Sequence, residues 1–240
     1  MTPRQSKLLK AIIDEFIQSS GAVGSVNLAT KYRLGVSPAT IRNEMAELVK
    51  QGYLAKPHSS SGRIPTNLGL KFFIDRLLDD LENPDVQAAI RIREDIFQNR
   101  FNTDLLIYTA LNHLAEQTQN LSLLSLENRV YYAGFTYLLG RTELTDRKQL
   151  QDIFHILEDN KLLRNIFLRY RGERKIRILI GEDTGHGTFT TNTVIFAPVK
   201  LHNQNEGYMA LIGPNSMNYA RNIPLLEYIA DNLNQVVNGW

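Results

Sequence analysis

At 240 residues and 43% hydrophobic content the chain holds apolar material for one large or two modest cores, and its lack of cysteine excludes disulfides, thiolate zinc sites and cysteine nucleophiles. No stretch is apolar enough to span a membrane, and Met1-Thr2-Pro3-Arg4-Gln5 runs into an amphipathic helix without a signal-peptide block, so a cytoplasmic protein is expected. The net charge of +2 divides unevenly: residues 1–80 carry 11 Lys and Arg against 7 Asp and Glu, and the remainder 16 against 18, which suits a nucleic-acid module on a neutral or mildly acidic body.

Leu8, Leu9, Ile12, Ile13, Phe16 and Ile17 recur at helical spacing and predict a first helix over residues 3–19, stopped by Ser19-Ser20-Gly21. A shorter helix follows, with Ser25 as its expected cap, Leu28, Ala29 and Tyr32 inward, and Lys31 and Arg33 near solvent. Leu34-Gly35 turns the chain into a third helix, which Ser37 caps and Pro38 opens, with Val36 stapled onto Ile41. Ile41, Met45, Leu48 and Val49 form one apolar stripe and turn Ala39, Thr40, Arg42, Asn43 and Ala46 outward. A rigid start with small side chains and one Arg-Asn pair can lie in the DNA major groove, where Arg reads guanine and Asn reads adenine. Alone, the pattern is more often that of a solvated surface helix. Its setting turns the reading toward DNA: two short helices joined through a glycine turn, the second with a capped, exposed start, form a helix-turn-helix pattern.

Gly52 ends the third helix. Tyr53-Leu54 and Arg63-Ile64 are expected to pair around a Ser-rich polar tip, a wing whose hydroxyls, backbone N–H groups and Lys56, His58 and Arg63 suit phosphate oxygens. The bland alternative is a solvated hairpin. The candidate DNA contacts are therefore Ser37, Ala39, Thr40, Arg42 and Asn43 on the helix, and Lys56, His58, Ser60 and Arg63 on the wing.

Several motifs in one order carry a resemblance. Val23-Gly24-Ser25, Gly35-Val36-Ser37-Pro38-Ala39-Thr40-Ile41-Arg42-Asn43-Glu44-Met45, Gly52-Tyr53-Leu54, Pro57-His58-Ser59-Ser60-Ser61-Gly62-Arg63-Ile64-Pro65-Thr66 and Phe72-Phe73-Ile74-Asp75 resemble the N-terminal domain of the heat-inducible transcription repressor family HrcA. The resemblance implies a winged helix-turn-helix that binds an inverted-repeat operator, CIRCE, before chaperone operons, with Ala39, Thr40, Arg42 and Asn43 facing that operator.

Thr66 is the expected cap of a fourth helix burying Leu70, Phe73, Ile74, Leu77, Leu78 and Leu81, and Glu82-Asn83-Pro84-Asp85 breaks it at a domain boundary. With Asn83 as cap, the next helix runs to about Phe101, with Val86, Ile90, Phe97 and Phe101 on one side and Ile92 and Ile96 on the neighbouring one. It packs either on a second copy of the chain or on its own domain. Asn102-Thr103-Asp104 opens a helix through Leu106, Leu111, Leu114 and Ala115. The period then changes: Leu121 to Leu126 and Val130 to Ala133 predict a hairpin about Glu127-Asn128-Arg129. Two helices over 146–170, strands over 175–180, 193–201 and 207–212, and a closing helix over 219–237 despite Pro224 complete an α+β region.

Tyr131-Tyr132-Ala133-Gly134, Leu138-Leu139, Ile178-Leu179-Ile180-Gly181-Glu182 and Ile212-Gly213-Pro214-Asn215-Ser216-Met217-Asn218-Tyr219-Ala220-Arg221 resemble the GAF-like domain of the same family. Family members carry further strands and an inserted dimerising domain between the counterparts of Leu126 and Val130, where only Glu127-Asn128-Arg129 stand here. A reduced sheet is expected, and the route to a dimer is left open.

His58, His113, His155, His186 and His202 show no ligand spacing, so no metal is expected. Gly181-Glu182-Asp183-Thr184-Gly185-His186-Gly187 lacks the Lys-Ser/Thr ending of a phosphate loop and reads as a strand connection; Glu182 and Asp183 have no nucleophile beside them, and neither an enzyme nor a cofactor is expected. The expectation is an α+β protein with a winged helix-turn-helix DNA-binding domain over 1–82 and a linking helix with a reduced GAF-like regulatory and dimerisation domain over 83–240. It would act as a homodimeric repressor on double-stranded DNA, with the GroEL chaperonin as partner by resemblance. The alternative is a winged-helix regulator whose GAF-like domain senses a metabolite.

Overall fold

The computed structural model describes residues 1–57, 62–78, 81–127, 129–139, 147–170, 175–201 and 205–238, and the chain divides into two compact units, Met1–Asp80 and Leu81–Trp240. The first unit opens with helix α1 (Pro3–Ser19), fixed by a reciprocal capping box between Thr2 and Gln5. Its Leu8, Leu9, Ile12 and Ile13 are buried, the amphipathic stripe serving as the floor of a small core. Helix α2 (Ser25–Lys31) corrects one expectation: Gly24 occupies the cap position without a side-chain bond, and Ser25 begins the helix itself. Helix α3 (Pro38–Lys50), strands β1 (Leu54–Ala55) and β2 (Ile64–Pro65), and helix α4 (Asn67–Arg76) follow. The two strands pair antiparallel, Leu54 opposite Pro65 and Ala55 opposite Ile64, one residue further along the chain than the sequence pattern placed them.

Helix α4 keeps its expected cap, Thr66 Oγ1 accepting from Gly69 N at 3.1 Å, but ends at Arg76. The apolar run continues, yet Lys10 Nζ donates to Leu77 O at 2.9 Å and closes the helix end from α1, and Leu81 is exposed.

Glu15 on α1 is only 6% exposed and holds α2 against it. Its carboxylate accepts from Lys31 Nζ (2.6 Å), Asn27 Nδ2 (2.9 Å) and Tyr32 OH (3.3 Å). The Lys31 bond, outweighing desolvation, holds the Glu15 carboxyl below its ordinary 4.5, whereas burial and the facing carboxylate push the Tyr32 phenol up to about 12. A carboxylate with a depressed folded pKa stabilises the fold above its unfolded pKa, and that contribution fades as pH falls through the lower, folded value. Glu15→Gln is therefore expected to melt earlier than the parent chain at neutral pH, with the gap closing below pH 4.5. Thermal melts of both proteins across that range check it. Asp14 is shifted upward by burial and works in the opposite sense, but it is common to both proteins and drops out of the difference.

In the second unit, helices α5 (Val86–Gln98) and α6 (Thr103–Thr118) precede strand β3 (Leu121–Ser125), strand β4 (Val130–Ala133), helix α7 (Phe135–Leu139), helices α8 (Arg147–Glu158) and α9 (Asn160–Arg169), strands β5 (Arg177–Ile180), β6 (Asn192–Leu201) and β7 (Asn205–Pro214), and helix α10 (Tyr219–Asn238). The cap of α5 is Asp85, accepting from Gln87 N and Ala88 N at 3.0 Å each, and not Asn83 as expected. The five strands make one antiparallel sheet in the order β4-β3-β7-β6-β5. The expected hairpin is β3–β4, closed by Leu126 N donating to Arg129 O at 2.8 Å.

Period-2 alternation sorts the sheet residues between two helical layers. Leu121, Leu123, Val194, Phe196, Tyr208, Ala210 and Ile212 join Ile153, Ile156, Leu163 and Phe167 of α8 and α9 in one core, while α6 and α10 pack on the sheet as well, Ser122 donating to Leu111 O of α6 at 2.8 Å.

Helix α10 contains Pro224, which has no N–H to give the carbonyl of Ala220 one turn earlier. Glu82 N fills that acceptor at 2.9 Å, so the segment leading into α5 is tied to the place the proline leaves vacant.

Candidate nucleic-acid interface

Helix α3 is prepared from its first residue. Gly35 turns the chain at φ +69°, which a side chain would resist, and Ser37 sits in extended backbone with its Oγ accepting from Thr40 N at 3.2 Å. A bond of this kind contributes about 1 kcal/mol to a helix start. Ser37 Oγ and Thr40 Oγ1 also share a hydrogen bond at 3.0 Å, which fixes the Thr40 side chain beside the cap. Pro38 stands first in the helix, where its missing N–H is no loss.

The helix buries Ile41, Met45 and Leu48 and packs on α1 and α2. Ala39, Arg42, Asn43 and Ala46 are exposed and Thr40 is half-buried. Among the described residues no hydrogen bond or ion pair engages Arg42 or Asn43. Neighbouring charges are committed instead: Glu44 pairs with Arg4 of α1, and Glu47 with Lys50 at 3.4 Å. Sequence reasoning missed the Arg4–Glu44 pair, since nothing local links residues forty positions apart. Lys31 is exposed, as expected, and its ammonium is in addition bound to Glu15.

The ribbon after α3 is anchored at its base. Arg63 and Val23 exchange backbone hydrogen bonds at 2.8 and 2.9 Å, attaching β2 to the segment between α1 and α2. Lys56 is exposed beyond β1 and, among the described residues, carries no ion pair. Arg63 is half-buried, with Nη1 donating to Gly62 O at 3.0 Å. The candidates His58 and Ser60 lie outside the described residues. The structure thus gathers Ser37, Ala39, Thr40, Arg42 and Asn43 on the start of one helix, and Lys56 and Arg63 on the ribbon that continues from it.

In the second unit, the glycine-rich connection folds as two short 3₁₀ turns, Gly181–Thr184 and Gly187–Phe189. Asp183 is used within it, accepting from Ile180 N at 3.2 Å while its carbonyl takes the Tyr170 hydroxyl. Among the described residues no three His, Asp or Glu side chains cluster as metal ligands, and no helix is long and apolar enough to cross a membrane.

Residues 68–223 match the family described as the HrcA protein C terminal domain. The chain belongs to the HrcA family. Its curated relatives include the heat-inducible transcription repressors HrcA of Pelotomaculum thermopropionicum, 23% identical across 98% of this chain and 96% of the relative, and of Symbiobacterium thermophilum, 26% identical across 97% and 98%. The HrcA of Thermoanaerobacter pseudethanolicus is 44% identical over 93 residues, covering 39% of this chain and 27% of the relative. The Pelotomaculum alignment runs over 334 positions against a chain of 240, so many positions of the relative have no counterpart in this HrcA-family member. A crystal structure of a hypothetical protein at 2.2 Å resolution shares the fold, with a TM-score of 0.80 and 19% identity over 99% of this chain and 98% of that one.

Proposed function

We propose that this HrcA-family chain is a repressor of heat-shock genes that binds an inverted-repeat, CIRCE-type operator as a homodimer. In this reading α2 and α3 form a helix-turn-helix and β1–β2 its wing, while the second unit is a reduced GAF-like regulatory and dimerisation domain. The carrying observation is the start of α3: a rigid, capped turn on which an exposed Arg42 and Asn43 have no engagement of their own among the described residues. Such donors match the acceptor and donor edges of guanine and adenine in the major groove. Lys56 and the wing supply phosphate contacts that set affinity and orientation. Two such helices, related by a dyad, would read the two halves of a palindrome. The family resemblance adds the GroEL chaperonin as the partner that keeps the repressor competent.

The test is a fluorescence titration of the full chain against a palindromic operator and against scrambled DNA, each at two salt concentrations. The reading expects affinity for both DNAs to fall with salt and the palindrome to bind at least ~1000-fold more tightly. Equal affinity for palindrome and scrambled DNA at both salts would overturn it.

A further inference from the structure

Helix α5 turns Ile92 and Ile96 inward, and α10 and α6 pack against it. Its opposite side is uncovered and apolar: Val86 is 71% exposed, Ile90 53%, Phe97 38% and, just past the helix end, Phe101 85%. Arg100 lies over both rings, 3.9 Å from the Phe97 centroid and 4.2 Å from that of Phe101, and holds them side by side. Isolated exposed apolar residues are ordinary, but a line of three along one helix with a fourth just past its end is an interface signal.

The order of residues in that line identifies its occupant. In sequence position Val86, Ile90, Phe97 and Phe101 are symmetric about the bond between Arg93 and Glu94, the first three on α5 and Phe101 three residues past its end. If a second α5 is laid antiparallel across the first with a two-fold axis at that point, Val86 of each copy meets Phe101 of the other and Ile90 meets Phe97. Arg93 of each then meets Glu94 of the other. A β-branched side chain faces a ring at every apolar step and opposite charges face each other at the axis, so one surface is complementary to itself, as an isologous contact requires. An open groove of about 590 Å³ runs along Ile90, Arg93, Glu94 and Phe97, room for the second copy's side chains.

Covering the four exposed residues would bury roughly 450 Å² per copy, about 900 Å² in a pair, above the ~800 Å² of incidental packing contacts and at the small end for a specific interface. We propose that α5 is the dimer interface of this protein, two copies packing their α5 helices antiparallel about a dyad between Arg93 and Glu94. The proposal deepens the homodimer reading above and rests on it.

Charge reversal at the axis tests it. In Arg93→Glu homodimers two acidic side chains would face two acidic ones, and in Glu94→Arg homodimers basic would face basic. Each variant alone is expected to dimerise at least about tenfold more weakly than the parent in analytical ultracentrifugation. A mixture of the two variants restores both opposite-charge pairs, and dimers are expected to return as heterodimers. If the parent chain is a dimer and both variants remain equally strong dimers, the α5 interface is wrong while the homodimer reading stands. If the variants weaken but mixing does not restore them, the antiparallel register is wrong. If the parent chain is monomeric with and without palindromic DNA, the homodimer reading falls with it.

Discussion

Gly69→Ala is expected to destabilise the N-terminal unit by about 3 kcal/mol, lowering its melting temperature by roughly 10 °C or more. Helix propensity alone argues the reverse, since alanine is favoured over glycine inside a helix by about 1 kcal/mol. Packing decides the sign. A Cβ on Gly69 would stand 2.2 Å from the Tyr53 carbonyl oxygen and 3.2 Å from its carbon, both backbone atoms. That carbonyl cannot swing away without loss, because it accepts from Thr66 N at 3.0 Å. Nor can α4 retreat, with Gly69 N held by Thr66 Oγ1 and Leu70 and Phe73 buried behind it. Relief would open the base of the β1–β2 ribbon, so operator affinity is expected to fall with stability. Thermal denaturation of the variant checks the first effect; a higher melting temperature would show that α4 and Tyr53 do not approach so closely.

Arg42→Ala should leave the fold intact and remove about 1–3 kcal/mol of binding, roughly 5- to 150-fold, on a palindromic operator while scarcely changing affinity for scrambled DNA. The fold is spared because Arg42 is exposed and, among the described residues, unbonded within the chain. Lys56→Ala should behave differently. A phosphate contact contributes on every sequence, so both affinities drop together and the salt slope falls by about one. Titrations of the two variants on both DNAs at several salt concentrations separate these roles; equal losses for Arg42→Ala on both DNAs would assign it to the backbone instead of the bases.

Local chemistry made the start of α3 legible in the sequence. Ser37 as cap, Pro38 after it, Gly35 at positive φ and the Ile41-Met45-Leu48 stripe are all signals within one short segment, and all appear as read. The five strands of the second unit were legible for the same reason, from period-2 apolar runs bounded by turns. Where several residues competed for one role, spacing could not choose among them. Asn83 and Asp85 flank the same proline, and the carboxylate that reaches two free N–H groups is the cap. Ser25 follows a glycine that takes the cap position itself. The features that were missed depend on distant partners: Lys10 closing α4, Arg63 pairing with Val23, and Arg4 pairing with Glu44. The same holds for the exposed face of α3. Sequence identified Arg42 and Asn43 as outward, but not that Glu44 and Glu47 beside them are paired with Arg4 and Lys50 while, among the described residues, these two carry no bond.

Pro224 and Glu82 carry a consequence for biogenesis. The amide of Glu82 leaves the ribosome long before the carbonyl of Ala220 that receives it, so the bond waits for the synthesis of α10. Strand β6 likewise waits for α10 to cover it. The larger unit therefore completes only once α10 has been made, as contacts between residues so far apart in the chain demand. The smaller unit, Met1–Asp80, builds its core from its own residues and can fold while its successor is still being made.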